Sequence, residues 1–152
     1  MRILMVCLGN ICRSPLAEGI MQAKALEYNL NIEVDSAGTS GWHEGEHPDR
    51  RATQTASKYG VNISAQRSRP LSTSDFDQFD RIYVMDHQNL ADAQAMAQPH
   101  HHTKIRLILS TVYPNNTPAV PDPYHGGDEG FDNVFHMLEQ ACDQIAREIS
   151  QR

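Results

Sequence analysis

Two residues near the amino terminus, a cysteine and an arginine, have side chains and a spacing that suit chemistry on an anion. Cys7 and Arg13 are separated by five residues in the run Cys-Leu-Gly-Asn-Ile-Cys-Arg-Ser-Pro. A loop of this length can turn its N–H groups toward a tetrahedral dianion, and the planar guanidinium of Arg13 can hold two phosphoryl oxygens. The same donors would stabilise a thiolate at Cys7, which is a nucleophile for phosphorus. The pair therefore predicts a phosphate-binding loop that carries a nucleophile.

The other residues of this run are consistent with a tight cradle. Gly9 permits a close approach of the backbone, and Asn10 is one of the few residue types that tolerate a positive φ angle. A nucleotide-binding loop is a weaker interpretation, because the run has a single glycine and no Gly-Lys-Ser/Thr sequence. A cysteine can also be a small buried residue without chemistry, so the surrounding elements have to decide. The expected phosphate-binding residues are Leu8, Gly9, Asn10, Ile11, Cys12, Arg13 and Ser14.

The segments on either side of this loop have the patterns of a strand and a helix. Residues 2–6 form a short apolar run, typical of a strand that is buried on both faces of a parallel sheet. Ser14 is a suitable N-cap, and Pro15 fits the first helical position because its missing N–H has no intrahelical partner there. Apolar residues at helical spacing then predict an amphipathic helix over residues 15–28. The loop is thus expected at a strand-to-helix junction.

The rest of the chain alternates between strand-like and helix-like segments. This alternation favours right-handed crossovers and a parallel sheet that is covered by helices on both faces. We expect residues 1–152 to form a single three-layer α/β domain with a four-stranded parallel sheet and the phosphate-binding loop after the first strand. The further strands are predicted at residues 32–36, 81–86 and 104–110, and the helices at 49–59, 87–97 and 131–149, with a short capped helix after Ser72.

The irregular segment 113–130 is the expected source of a proton donor. Cleavage of an aryl phosphate needs a proton for the departing oxygen, which a thiolate cannot provide. The segment follows the last predicted strand, at the sheet edge where open α/β folds bind their ligands. Within it, Asp122 lies between two prolines that restrict the backbone, whereas Asp128 and Glu129 lie among glycines. Asp122 is the preferred candidate, with the other two as alternatives.

Composition and charge restrict the classes of partner. The 152 residues carry a formal net charge of −6, and residues 120–152 hold seven acidic and only two basic side chains. No basic stripe is present, so a nucleic-acid partner is not expected. The apolar runs are too short for a membrane span, and no signal segment is recognisable. Three cysteines, one of them a proposed thiolate, favour a reducing compartment and a cytoplasmic location.

The chain resembles the low-molecular-weight protein tyrosine phosphatases, in particular the bacterial members. The resemblance rests on the run from Cys7, on Asp35-Ser-Ala-Gly-Thr and on Asp122-Pro-Tyr. It implies a phosphoric monoester hydrolase that cleaves phosphotyrosine and small aryl phosphates through a cysteinyl-phosphate, without a metal or other cofactor. Cys7 would be the nucleophile, Arg13 the ligand of the equatorial oxygens, and Asp122 the general acid that later activates water.

The same resemblance implies roles for residues around the catalytic set. Asn10, Ser14 and Ser36 match positions that support the loop through hydrogen bonds, and Ser14 would stabilise the Cys7 thiolate as a leaving group. Cys12 matches a cysteine that can form a reversible disulfide with the nucleophile. The aromatic side chains that would form the walls of the substrate pocket are Trp42 and Tyr124.

Two departures from the family pattern bear on the loop and the pocket. Many members have a histidine in the segment that matches residues 64–69, where this chain has Gln66. His125 stands where relatives often have a second aromatic residue, which leaves the substrate preference open. The adjacent histidines 100–102 have no companion acidic or cysteine cluster in the sequence, so a metal site is not expected. Cys142 lies on the apolar stripe of the last predicted helix and is expected in the core.

Two other functions remain as alternatives. A thiol-dependent arsenate reductase has a similar loop and fold, but it needs further cysteines near the third strand, and residues 81–97 have none. A phosphate-binding module without activity is disfavoured because both Cys7 and Asp122 are present. The expected partner is a phosphotyrosine-containing protein, by resemblance a bacterial tyrosine kinase of a polysaccharide-export system. The enzyme is expected to be a monomer or a weak dimer.

Overall fold

A computed structural model describes all residues, 1–152. Its strands and helices alternate along the chain as the sequence predicts, and two 3₁₀ turns, Pro99–Lys104 and Ile108–Thr111, flank the last strand. The elements in chain order are β1 (Arg2–Cys7), α1 (Arg13–Glu27), β2 (Glu33–Gly38), α2 (Arg50–Lys58), α3 (Asp75–Gln78), β3 (Arg81–Val84), α4 (His87–Met96), β4 (Ile105–Leu107) and α5 (Asp128–Ser150).

The four strands form one parallel sheet in the order β2-β1-β3-β4, with β1 at its centre. Successive side chains of a strand point to opposite faces, and both faces of β1 are apolar, which explains its unbroken hydrophobic run. Ile3 and Met5 pack in one cluster with α1, α2 and α5, and Leu4 and Val6 pack in a second with α3 and α4. The prediction of one three-layer domain with a four-stranded parallel sheet is therefore confirmed.

Two details of the predicted elements are wrong. Helix α1 begins at Arg13, so Ser14 is not its N-cap and Pro15 is the third residue of the helix; the cap position is Cys12, without a side-chain cap bond. The fourth strand ends at Leu107 and not at residue 110 as predicted. Leu107 pairs with Val84, which is the last residue of the four-residue strand β3. Beyond that pair the apolar run continues as a 3₁₀ turn, in which Ile108 and Leu109 are still buried.

The segment between the 3₁₀ turn at residues 108–111 and α5 has no regular structure, as predicted. Helix α5 buries one long stripe of apolar residues, which includes Cys142, against the sheet face that α1 also covers. Asp128 and Glu129 lie in its first turn and are exposed. None of the helices combines the length and apolarity that a membrane span requires. The fold thus places two loops, after β1 and before α5, at the carboxyl edge of the sheet.

Candidate active site

The phosphate loop, residues 8–12, connects the end of β1 to the first turn of α1. Asn10 adopts a φ of 56°, the left-handed conformation that the sequence suggests for an asparagine in a tight loop. Its amide group donates to Ser14 Oγ at 2.8 Å and to Ser36 Oγ at 2.9 Å, and its carbonyl oxygen accepts from the Arg69 N–H at 3.0 Å. Every hydrogen-bonding group of the buried Asn10 amide therefore has a partner, which holds the loop backbone in one conformation.

Ser14 connects this network to the nucleophile candidate. Its Oγ lies 3.0 Å from the Sγ of Cys7, and both side chains are buried. Because the hydroxyl already accepts from Asn10, its own proton is free to point at the sulfur. The hydroxyl that the sequence suggested as a helix cap thus lies within hydrogen-bond distance of the Cys7 sulfur instead.

Arg13 lies almost fully buried, with 3% of its side chain exposed, and its guanidinium is fixed from behind. One amino group, Nη1, donates to Asp86 Oδ2 at 2.7 Å and to the Val120 carbonyl at 3.0 Å. Asp86 also accepts from the Asn89 N–H and caps α4. Asp86 was not among the site residues predicted from the sequence, although its place two residues after β3, at the same sheet edge as the loop, is a signal for it.

Asp122 reaches the same guanidinium from the opposite loop. Its Oδ2 lies 3.8 Å from Arg13 Nη2, and 43% of its side chain remains exposed. The Tyr124 N–H donates to Asp122 Oδ1 at 3.1 Å, which orients the carboxyl group within its own turn. Val120, two residues before Asp122, anchors the segment, because its N–H donates to the Met85 carbonyl beyond β3. The structure therefore brings together the three residues that the sequence singled out for catalysis.

These groups open into one cavity of about 170 Å³. Trp42 and Tyr124 both line this cavity. Since 78% of Trp42 is exposed, this side of the cavity is accessible to solvent at its mouth. His43 packs against the backbone at Gly9, where an added Cβ would come within 3.0 Å of the imidazole ring. The complete lining is Cys7, Leu8, Gly9, Ile11, Cys12, Arg13, Trp42, His43, Asp122, Tyr124 and His125.

The network behind the loop ends at a buried carboxyl group. The Ser36 hydroxyl donates to Glu18 Oε1 at 2.6 Å, and burial raises the pKa of Glu18 to about 7, against the lowering effect of this hydrogen bond. Gln66 is not part of this chain of bonds, since its amide donates to the Pro15 carbonyl at 3.1 Å. Glu18 thus lies at the end of the network, and Gln66 lies outside it.

Cys12 lies beside the nucleophile in the cavity wall. Burial, with a smaller effect of the Asp49 carboxylate, raises the pKa of its thiol. Cys12 is therefore a neutral thiol at physiological pH.

The histidines at 100–102 have an acidic companion after all, which corrects the sequence analysis. Asp77 Oδ1 lies 2.7 Å from His101 Nε2, and the potential ligand atoms of Asp77, His100 and His101 lie within 4.8 Å of one another. However, His101 Nδ1 accepts from the Gln98 N–H, so Nε2 carries the ring proton and donates it to Asp77. His101 thus connects the 3₁₀ turn to α3 and has no free lone pair for a cation.

The chain is similar to known proteins over nearly its whole length. The family model described as low molecular weight phosphotyrosine protein phosphatase matches residues 2–152. The low molecular weight protein-tyrosine-phosphatase YfkJ of Bacillus subtilis is 36% identical over 149 residues, 97% of this chain and 94% of the relative.

Solved structures agree. A protein tyrosine phosphatase from Entamoeba histolytica, with Hepes in its active site, is 37% identical over 99% of this chain and 97% of that one, with a TM-score of 0.94. The Drosophila arginine phosphatase DARP is 32% identical over 98% of each chain, with a TM-score of 0.91.

Proposed function

Because the chain belongs to the low molecular weight phosphotyrosine protein phosphatase family, we propose that Cys7, Arg13 and Asp122 catalyse its reaction, the hydrolysis of phosphotyrosine. The observation that supports these roles is the convergence of the three side chains on one cavity. Ser14 Oγ lies 3.0 Å from the Cys7 sulfur, and Asp122 Oδ2 lies 3.8 Å from Arg13 Nη2. Side chains from both loops therefore face the same cavity.

In the first step, the Cys7 thiolate attacks phosphorus and forms a P–S bond while the P–O bond to the phenol breaks. Arg13 and the N–H groups of residues 8–14 stabilise the charge on the equatorial oxygens. Asp122, on the opposite side of the cavity, transfers its proton to the departing phenolate oxygen. The products are tyrosine and a cysteinyl-phosphate.

In the second step, Asp122, now a carboxylate, takes a proton from a water molecule that attacks phosphorus. The P–S bond breaks, inorganic phosphate leaves, and the electron pair returns to Cys7 as a thiolate. The Ser14 hydroxyl stabilises that thiolate and so makes it a better leaving group. Every group in these two steps is a side chain, a backbone amide or water.

We also propose that the pocket selects phosphotyrosine through its depth. Leu8, Trp42 and Tyr124 surround the mouth, and an aryl ring can pack on them while its phosphate reaches the loop. Since the fold is shared with an arginine phosphatase, a substrate panel should compare phosphotyrosine, phosphoserine and phosphoarginine peptides. The highest kcat/KM is expected for phosphotyrosine; a preference for phosphoarginine would overturn this assignment.

A redox role for Cys12 and the cellular setting remain proposals. We propose that peroxide oxidises the Cys7 thiolate to a sulfenic acid, and that Cys12 then forms the S–S bond while the S–O bond breaks and water leaves, as the family resemblance implies. Mass analysis after peroxide treatment should show this link, and a stable sulfinic acid at Cys7 would contradict it.

A phosphotyrosine protein in the cytoplasm, such as a bacterial tyrosine kinase, is the proposed partner of a monomeric or weakly dimeric enzyme without bound nucleic acid.

The experiment that tests the mechanism is the hydrolysis of phenyl phosphate in the presence of a chelator. Turnover should be lost in Cys7→Ser and Arg13→Ala, since the first lacks the nucleophile and the second the main positive group. The matched control is Cys142→Ala, which removes a buried thiol in the α5 core and should keep wild-type kcat. Undiminished turnover in Cys7→Ser would rule out the cysteinyl-phosphate.

A further inference from the structure

The backbone of the segment that carries Asp122 makes few hydrogen bonds with the rest of the protein. Within residues 121–126, the hydrogen bonds from the Tyr124 and Gly126 N–H groups remain inside the segment, to Asp122 Oδ1 and the Pro123 carbonyl. Only one side chain from elsewhere, Arg51 of α2, donates hydrogen bonds to the backbone of this segment.

Arg51 makes these contacts with both ends of its guanidinium. Nη2 donates to the Tyr124 carbonyl at 2.7 Å, and Nη1 donates to the Gly126 carbonyl at 3.0 Å. The guanidinium carbon also lies 5.6 Å from the centre of the Tyr124 ring and 4.7 Å from that of Phe131. Two carbonyls and two aromatic faces therefore restrain one planar group, which a point charge such as lysine could not match.

Arg51 is in turn connected to the phosphate loop through Asp49. The Asp49 carboxylate accepts from Arg51 Nε at 3.2 Å and from Nη2 at 3.3 Å. The N–H of Asp49 donates to the Ile11 carbonyl at 2.7 Å. A continuous path of hydrogen bonds thus runs from Ile11, in the phosphate loop, to the carbonyls of Tyr124 and Gly126, on either side of His125.

We propose that Arg51 is a positioning residue for the phosphatase reaction: it holds the segment of Asp122 at a fixed distance from the phosphate loop. The proposal rests on the role of Asp122 as general acid given above. Arg51 does not itself line the cavity, and its guanidinium reaches the site through Tyr124 and Gly126, to whose carbonyls it donates. Its loss should therefore weaken protonation of the leaving group and leave the binding of phosphate unchanged.

The test compares Arg51→Met with Arg50→Met. Arg50 is the neighbouring residue of α2, it is exposed, and its side chain makes no hydrogen bond or ion pair. For each variant, kcat/KM is measured with a series of aryl phosphates, from 4-nitrophenyl phosphate, whose leaving group needs little protonation, to phenyl phosphate. Inhibition by inorganic phosphate reports on the cradle alone.

We expect kcat/KM for phenyl phosphate to fall about tenfold in Arg51→Met, a fraction of the 10²–10⁴ that a general acid supplies. The value for 4-nitrophenyl phosphate should fall less than about threefold, and the inhibition constant for phosphate should not change, because the cradle is intact. Arg50→Met should match the wild type throughout. Equal losses for both substrates in Arg51→Met would overturn the positioning role.

A second measurement separates positioning from stability and from failure of the mechanism. The Asp122→Asn variant has no carboxyl proton to transfer to the leaving group. Adding Arg51→Met to it should therefore cause no further loss of kcat/KM for phenyl phosphate. An additional tenfold loss there would contradict the proposal. Arg51→Lys keeps the charge but not the fork and should resemble Arg51→Met, which provides the same test if the Met variant does not fold. Activity in Cys7→Ser would instead overturn the mechanism itself.

Discussion

The phosphate loop and the segment of Asp122 border the same cavity, but they are held in place in different ways. Residues 10–12 of the phosphate loop are buried, and both protons and the carbonyl of the Asn10 amide are engaged in hydrogen bonds. The segment of Asp122 is mostly exposed, with Pro123 as its buried residue, and Arg51 donates the hydrogen bonds that join its backbone to α2. One side of the site is thus built as part of the core, and the other is attached to it.

This difference fits the two kinds of chemistry that we assign to the loops. Stabilising charge on phosphoryl oxygens requires donors that are already in place, so that no reorganisation accompanies the transition state. A general acid has to exchange protons with water in each cycle, which its partial exposure permits. Changes in the phosphate loop should therefore alter both phosphate binding and rate, whereas changes around Asp122 should alter only the rate.

Among the variants that distinguish the two loops, Asp122→Asn is expected to lose the most activity. The variant keeps the size and polarity of the side chain but has no proton to donate, so kcat/KM for phenyl phosphate should fall by about 10²–10³. The inhibition constant for inorganic phosphate, measured on the same preparation, should stay within about twofold of the wild type. A large loss of phosphate affinity would mean that the two loops are not independent.

The sequence predicted the phosphate loop well because its chemistry is local. Cys7 and Arg13 lie in one short run between a strand and a helix, and the positive φ of Asn10 follows from its residue type. The assignment of Ser14 as a helix cap was wrong for a local reason too: a hydroxyl suits a cap and a sulfur partner equally well, and only the family resemblance pointed to the sulfur. Only the tertiary structure, which places Cys7 Sγ at 3.0 Å, decides between the two.

The surroundings of Asp122 could be predicted only in part. The order of strands places its segment at the correct sheet edge, and the flanking prolines single out the residue. Asp86 and Arg51 were missed because each acts on a partner about 73 residues away in the chain, and an ordinary helix cap and an ordinary helix arginine have the same local pattern. Packing in three dimensions, which periodicity does not encode, brings them to the site.

A smaller effect is expected for Asp86→Asn, which tests the support of Arg13 from behind. Asparagine can still cap α4 and accept one bond from Nη1, but the charge-assisted contact at 2.7 Å is lost. We expect kcat/KM to fall about tenfold for phenyl and 4-nitrophenyl phosphate alike, since Arg13 stabilises phosphoryl oxygens for any leaving group. Asp92→Asn, on the exposed side of α4, is the matched control. A loss confined to phenyl phosphate would place Asp86 with the acid segment instead.

The smallest effect on rate is expected for Glu18→Gln, at the far end of the Asn10 network. Glutamine can still accept from Ser36, and the Asn10–Ser14–Cys7 part of the network is untouched, so kcat should change less than about threefold. Stability should respond more strongly. Burial raises the pKa of Glu18 to about 7 in the folded protein, while Asp35 and Arg69 nearby act in opposite directions.

In the unfolded chain Glu18 titrates near its ordinary pKa of 4.5. Between that value and 7 the folded protein holds the proton more tightly, so the free energy of unfolding falls as the pH rises through this window. The loss amounts to roughly 3 kcal/mol by pH 8, and it should be absent in Glu18→Gln. Urea unfolding at pH 5 and pH 8 should show the variant gaining stability over the wild type at the higher pH. The exposed Glu44→Gln should show no such gain, and an equal difference at both pH values for Glu18→Gln would mean that the carboxyl group is ionised throughout.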